Sequence, residues 1–293
     1  MKYIYYPGCS LEGSAMEYDA STRSVLETLG AELVELEDWT CCGASASESQ
    51  SLLLSLALPA RNLALAERDG AGADVLAPCS ACYLNLKRVE ENTRKDEGLL
   101  NRVNAVLSED GLTYGRQTKT RHLLDVLAND FGAERIAEAT TNRLSGFSVV
   151  PYYGCQCLRP FTVFDDPERP HTMEPLIEAL GAEVFGWSMG GKCCGAGLMT
   201  TKKELGLELV GQLLLAAQGA DCIATVCPMC QMNLEIHQRT ASHMMGQDLR
   251  ISVLYLPQLM GIAFGLPEDR IDLKRNFAAG PRFREKCAAT AGR

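Results

Sequence analysis

The sequence predicts an α/β protein made of two pseudo-twofold-related copies of one unit, each a small parallel sheet flanked by helices, with cysteines at the carboxyl ends of the strands. Three observations predict it. Strand-like and helix-like segments alternate along the 293 residues, an ordered set of cysteines occurs twice, and the residues around those cysteines repeat with them. The chain is 46% hydrophobic, enough to bury the core of two domains of ordinary size. Their boundary is expected near Thr141, which gives units 1–141 and 142–293.

Each element has a local reason. Residues 3–6 read as a short strand, with Cys9 in the loop behind it. A helical stretch over 16–29 ends at Gly30, a residue suited to the left-handed position that closes a helix. Residues 32–36 form the next strand, with Cys41 and Cys42 just beyond. The Leu/Ala-rich stretch 48–68 predicts one long amphipathic helix, kinked at Pro59. A strand over 74–77 leads at once to Cys79. The second half repeats the pattern, with strands near 148–152, 183–185 and 221–226. Each unit closes with a strand running into a helix, over 120–127 and 253–260. The tail 276–293 is expected as an extended surface segment. In open parallel sheets, ligands bind outside the carboxyl ends of the strands, so these loops bring distant thiols to one edge.

Charge and hydropathy exclude several classes. Lys and Arg number 28 against 37 Asp and Glu, a formal net charge of −9, which argues against a nucleic-acid partner. No apolar run reaches transmembrane length; 251–266 comes nearest, but Pro257 within it favours a core strand and helix. The N-terminus lacks the apolar length of a signal peptide, so the chain is expected in the cytoplasm.

The outlying feature is thirteen cysteines. In a reducing compartment they point to metal or redox chemistry rather than disulfides. Ten fall into one order that occurs twice: a Cys after Gly, then Cys-Cys-Gly, then Cys-x-x-Cys. The first set is Cys9, Cys41, Cys42, Cys79 and Cys82; the second is Cys155, Cys193, Cys194, Cys227 and Cys230. The offsets at three anchors are 146, 152 and 148 residues, the mark of a duplicated unit with drift in its loops. Structural zinc takes four ligands, and each copy offers one thiol too many. Iron–sulfur ligation fits better, although the usual ferredoxin spacing is absent. Cys157 competes with Cys155 for the first place in the second copy, and the mirrored Gly-Cys favours Cys155. Cys222, inside a strand, reads as a small buried hydrophobe, and Cys287, in the tail, as a thiol apart from the motif.

The doubled pattern resembles the cysteine-rich CCG domain, and in size and layout the catalytic B subunits of heterodisulfide reductases. The resemblance covers nearly the whole chain. It implies two non-cubane 4Fe–4S clusters, one held by Cys9, Cys41, Cys42, Cys79 and Cys82, the other by Cys155, Cys193, Cys194, Cys227 and Cys230. It implies two-electron cleavage of a disulfide, that of coenzyme M and coenzyme B in methanogenesis, with the two clusters facing each other across it. Electrons would arrive through the ferredoxin-like C component of the complex from its flavin-containing A component. The lack of a Gly-rich nucleotide fingerprint in this chain agrees with that division of labour. An anionic substrate needs cations, and Arg159 and Lys192, beside the second cysteine set, are the candidates. No histidine shows a pairing with a cysteine motif. Related modules serve succinate, fumarate, glycolate or lactate oxidoreductase complexes, where the module relays electrons or meets a quinone. That is the alternative function.

Overall fold

The structure is a computed structural model that describes residues 1–44, 47–70 and 72–291. Among the described residues eight strands form two four-stranded sheets, β1 (Lys2–Tyr5), β2 (Glu32–Glu35), β3 (Val75–Ala77) and β4 (Thr120–His122), then β5 (Ser148–Tyr152), β6 (Glu183–Val184), β7 (Cys222–Thr225) and β8 (Ser252–Tyr255). The strand orders are β2-β1-β3-β4 and β6-β5-β7-β8, and every pairing is parallel. The two sheets thus share one topology, as the doubled sequence requires.

In each sheet the chain leaves the first strand to one side and returns to pair on the other. This opens a crevice at the carboxyl ends of β1 and β3, and again at β5 and β7. Register keeps those ends level: Tyr5 lies opposite both Glu35 and Leu76, and Tyr152 opposite Thr225. The inner strands β3 and β7 are buried along their whole length, as strands covered by helices on both faces must be. The outer strands β2 and β6 are largely exposed and carry Glu32, Glu35 and Glu183, charges that discourage pairing with another edge.

The expected helices are present, with three corrections. Cys9, expected in a loop, lies in the short helix Gly8–Glu12. The long helix of the first copy is Leu52–Asp69, preceded by a separate turn Ser47–Gln50. The interruption falls at Ser51, whose extended backbone and side chain cap the helix by accepting from the Leu54 amide at 3.4 Å. The helix runs on through buried Pro59. The tail is not extended: residues Pro281–Ala291 form a helix, and 292–293 lie outside the described residues. Packing decides this. Phe283 is buried and meets Phe147 edge to face at 5.8 Å, Lys286 pairs with Asp221 at 2.6 Å, and buried Asn276 donates to the Val253 carbonyl at 3.1 Å.

The copies join by exchanged packing. The helix after β8, Leu256–Ala263, lies on helix Met16–Thr28 of the first copy. The helix Gly132–Ala139, which follows β4, lies on Glu174–Ala179 of the second. Ring pairs repeat the exchange. Tyr18 stacks on Tyr255 with centroids 4.1 Å apart, and Phe164 stacks on His122 at 6.0 Å. The larger of two apolar clusters runs through both copies, and the other lies within the second. No helix among the described residues is long and apolar enough to cross a membrane.

Candidate functional site

The ten cysteines of the doubled motif form two strings of sulfurs with the same order of neighbours. In the first, Cys9 Sγ stands 4.0 Å from Cys41 Sγ, Cys42 follows Cys41 in the chain with its Sγ 3.5 Å from Cys82 Sγ, and Cys82 interacts with Cys79. In the second, Cys155 meets Cys193, which meets Cys194, then Cys230, then Cys227. Position by position the strings match.

Each string runs from the surface inward. Cys9, Cys41 and Cys193 are exposed and Cys155 half-buried, whereas Cys42, Cys79, Cys82, Cys194, Cys227 and Cys230 are buried. The inner ends meet at the junction of the copies. Tyr18 Oη donates to the Pro78 carbonyl at 3.0 Å and to the Val226 carbonyl at 3.2 Å, the residues just before Cys79 and Cys227. Ser80 Oγ also donates to Val226 O, at 3.0 Å. Hydrogen bonds between the copies therefore cross the junction beside the inner ends, and the outer ends of the strings are the parts open to solvent.

Local structure holds the sulfurs in equivalent ways. Gly8 and Gly154 have φ of +69° and +70°, and a Cβ on them would come within 2.7 Å of Cys82 Sγ and 2.9 Å of Cys230 Sγ. Only glycine lets the first loop lie against the sulfur of the last motif. The amides of Gly43 and Gly195 donate to Cys41 Sγ at 3.4 Å and Cys193 Sγ at 3.3 Å. Cys79 and Cys227 are the N-caps of helices Ser80–Lys95 and Pro228–Ile236, where the helix dipole favours negative charge. Asn85 donates to the Cys42 carbonyl at 3.1 Å, and Asn233 to the Cys194 carbonyl at 2.8 Å. These asparagines pin the paired-cysteine loops. Asn85→Ala should cost about 1–3 kcal/mol by leaving a buried carbonyl unpaired, measured as a lower midpoint in chemical unfolding. An unchanged midpoint would remove the brace.

The donor chemistry fits a polynuclear group. Each string offers five thiols where a single tetrahedral ion takes four, a donor set suited to a group with more than one iron. Hydrogen bonding between thiols lowers one member of each adjacent pair and raises the other: Cys42 is lowered chiefly by Cys41 and then Cys82, and Cys193 chiefly by Cys155 and then Cys194. Cys82 and Cys230 are pushed well up, first by hydrogen bonding to neighbouring thiols. Metal uptake must therefore release protons.

Other expected residues fall outside the strings. Cys157 is buried and donates to the Tyr153 carbonyl at 3.2 Å, so Cys155 is the residue beside Cys193. Cys222 is wholly buried in β7, and Cys287 is half-buried, with burial pushing its thiol up to about 12. Lys192 is exposed beside Cys193. Arg159 differs from expectation. It donates to Gly191 O at 2.8 Å and to Pro167 O, and pairs with Glu168 at 2.8 Å. Its guanidinium braces the loop that carries Cys155, with 36% of the side chain still exposed.

No histidine is expected to pair with a cysteine motif, and His122 departs from that by reaching Ser80 within Cys79-Ser80-Ala81-Cys82. It is fully buried at the end of β4, with Nε2 at 3.1 Å from Ser80 Oγ and Nδ1 accepting from the Leu124 amide at 3.2 Å. Burial holds its pKa down at about 4, so the ring is neutral in the folded chain. A base depressed on folding contributes stability that is intact above its unfolded pKa and is lost as pH falls through the folded one. Between about pH 6.5 and 4, His122 should remove up to roughly 3 kcal/mol of unfolding free energy, and His122→Gln should abolish that part of the slope. Parallel slopes in the two proteins would contradict this. The one sequence signal for it is position: His122 and Tyr255 occupy the same place at the last strand of each copy.

Comparison with known proteins gives the same two-part picture. The cysteine-rich domain family CCG matches residues 3–87 and 149–235. The chain is 33% identical to the membrane anchor of the 8-methylmenaquinol:fumarate reductase of Wolinella succinogenes, over 94% of this chain and 96% of that one. It is 29% identical to the B subunit of the ferredoxin:CoB-CoM heterodisulfide reductase of Methanosarcina mazei, over 97% and 96%. It is 30% identical to a protein of Archaeoglobus profundus named for its likeness to the heterodisulfide reductase B subunit, over 92% and 93%. The crystal structure of a hypothetical protein from Helicobacter pylori superposes with a TM-score of 0.75 at 17% identity. The match covers 94% of this chain and 52% of that one, and shows a shared fold.

Proposed function

The chain belongs to the cysteine-rich CCG domain family, in the two-copy form shared with heterodisulfide reductase B subunits, and from that premise we propose that it is the catalytic iron–sulfur component of a disulfide-reducing oxidoreductase complex. The observation that carries the reading is the pair of matched sulfur strings. Cys9, Cys41, Cys42, Cys79 and Cys82 would hold one non-cubane 4Fe–4S cluster, and Cys155, Cys193, Cys194, Cys227 and Cys230 the other, in units 1–141 and 142–293. Bound there, the two clusters would supply electrons singly and an iron for each sulfur of the substrate.

The reaction consumes two electrons and two protons, breaks one S–S bond and yields two thiols. The protein contributes position and charge. The Gly43 and Gly195 amides and the two helix N-termini offset negative charge at the sulfurs. The buried inner thiols keep water from one side of each string, and the exposed outer ends leave a way in. Lys192 supplies the cation for an anionic substrate, of the coenzyme M–coenzyme B kind named for the Methanosarcina relatives. Arg159 holds the loop beneath. Electrons would enter from two partner proteins of the complex, one ferredoxin-like and one flavin-bearing.

A second reading has its own support. The Wolinella relative, at 33% identity, is named for quinol oxidation and fumarate reduction, which would make this chain a relay between a quinone and a partner. One anaerobic assay separates the two. With a reduced dye and a panel of disulfides, coenzyme M–coenzyme B first, the proposal expects dye oxidation and thiol release. Oxidation by a quinone but by no disulfide would favour the relay. Zinc without acid-labile sulfide in the purified chain would end both.

A further inference from the structure

The two strings match in their cysteines but not in their surroundings, and the difference is sharpest at the junction of the copies. Three polar side chains of the first copy, Tyr18, Ser80 and His122, lie buried there. Their counterparts in the second copy are Phe164, nine residues after Cys155 as Tyr18 is after Cys9, then Pro228 within Cys-x-x-Cys, and Tyr255 at the end of the last strand. Phe164 and Pro228 carry no side-chain donor, and Tyr255 Oη donates to buried Gln231 Oε1 of its own copy at 3.3 Å. Tyr18 and Ser80 donate across the junction, from the first copy to the second.

The order of these bonds fixes where the Ser80 proton points. His122 Nδ1 accepts from the Leu124 amide at 3.2 Å, so the neutral ring carries its proton on Nε2. Nε2 stands 3.1 Å from Ser80 Oγ and donates to it. The serine hydroxyl is left to donate forward, to the Val226 carbonyl at 3.0 Å, with the Cys227 thiol also in interacting range. Val226 O has a second donor in Tyr18 Oη at 3.2 Å. Once metal makes Cys227 a thiolate, and so the stronger acceptor, the Ser80 proton can turn to that sulfur without leaving the carbonyl unpaired. Pro228 has nothing to return to Cys79.

Charge at the outer ends acts in the same sense. Exposed Glu12, three residues after Cys9, and Glu37, four before Cys41, line one open hollow. Beside Cys193 stands exposed Lys192. A carboxylate near a metal–sulfur group opposes an added electron, whereas a cation or a donor to sulfur favours it.

We propose that the two sites are poised unequally, Ser80 making the group held by Cys227 easier to reduce than the group held by Cys79, so that electrons enter at the first string and are delivered at the second. This rests on the reading of both strings as iron–sulfur sites, and it applies to a disulfide reductase and to a relay alike. Each transfer oxidises the first group by one electron and reduces the second by one. A reduced ferredoxin-like partner refills the first, and two transfers serve one S–S bond.

Redox titration of the anaerobically purified, metal-loaded chain, followed by electron paramagnetic resonance, tests the assignment without turnover. Cys79→Ser keeps only the second group and Cys227→Ser only the first, and the step left in Cys79→Ser should lie at the higher potential. Ser80→Ala in the otherwise intact chain should make the higher step about tenfold less favourable, about 59 mV lower for one electron, and leave the other step in place. Ser80→Thr keeps the hydroxyl and should restore the parental value. A merely structural serine would move the unfolding midpoint and neither potential. Lys192→Gln, a change in solvent, should also lower the higher step, most at low ionic strength. Absence of iron and acid-labile sulfide from the parent would overturn the underlying reading. With both present, the role of Ser80 alone is overturned if the step left in Cys79→Ser is not the higher one. It is also overturned by a higher step left in place by Ser80→Ala, or by Lys192→Gln should the serine variant not fold.

Discussion

Cys79→Ser should halve the iron and acid-labile sulfide bound per chain and lower disulfide turnover by at least about a hundredfold, a loss of roughly 3 kcal/mol or more in transition-state stabilisation. Cys79 is 2% exposed and sits at the inner end of the first string, as the N-cap of helix Ser80–Lys95. A serine hydroxyl at that place stays protonated at neutral pH and is a poor partner for iron beside thiolates. No other thiol of the first copy stands ready to replace it, since Cys9, Cys41, Cys42 and Cys82 already share the string. Cys157→Ser is the paired control. Its hydroxyl can still donate to the Tyr153 carbonyl, as the thiol does at 3.2 Å, so iron content should stay at the parental level. Metal analysis and the dye-linked assay read both variants. A full complement of iron in Cys79→Ser, or half in Cys157→Ser, would reverse the ligand assignment.

Gly8→Ala should cost about 2–4 kcal/mol of stability and lose the first metal group, and Gly154→Ala should do the same to the second. Two effects add. The left-handed backbone at φ +69° and +70° disfavours any Cβ. The added carbon would also stand 2.7 Å from Cys82 Sγ or 2.9 Å from Cys230 Sγ, closer than carbon and sulfur approach, so the sulfur must move off its string. Gly246→Ala isolates the first effect, because its φ is +69° with no atom within 4 Å of the new Cβ. That variant should lose only about 1–2 kcal/mol and keep all its iron. Unfolding midpoints with iron analysis decide the matter. Equal behaviour of Gly8→Ala and Gly246→Ala would mean that contact with the sulfur is unimportant.

The strands and the order of the cysteines were legible because both are local. A run of β-formers between a helix stop and a Gly-Cys loop leaves little choice of state, and duplication lets each copy check the other. The shared asparagine, Asn85 and Asn233, stood in plain view in the aligned motifs, yet its role needed the carbonyls of Cys42 and Cys194 to be near. The break at Ser51 was hidden by an unbroken Leu/Ala pattern, since a capping serine and an interior serine look alike without their backbone angles. The tail read as surface because its composition is polar and basic, while Phe283 and Asn276 carry it onto the second copy. Arg159 read as an open cation because sequence gives charge but not hydrogen-bond partners.

The sequence by itself determined that ten thiols come as two ordered fives at the ends of parallel strands, because duplication and strand–helix alternation are written along the chain. Only the tertiary structure decided which sulfurs are neighbours, that Cys155 rather than Cys157 joins the second string, and that His122, Tyr18 and Gln231 lie buried between the copies. Those facts depend on groups far apart in sequence meeting in space. Burial and pairing, which set the chemistry of a side chain, are properties of such meetings and not of the residue alone.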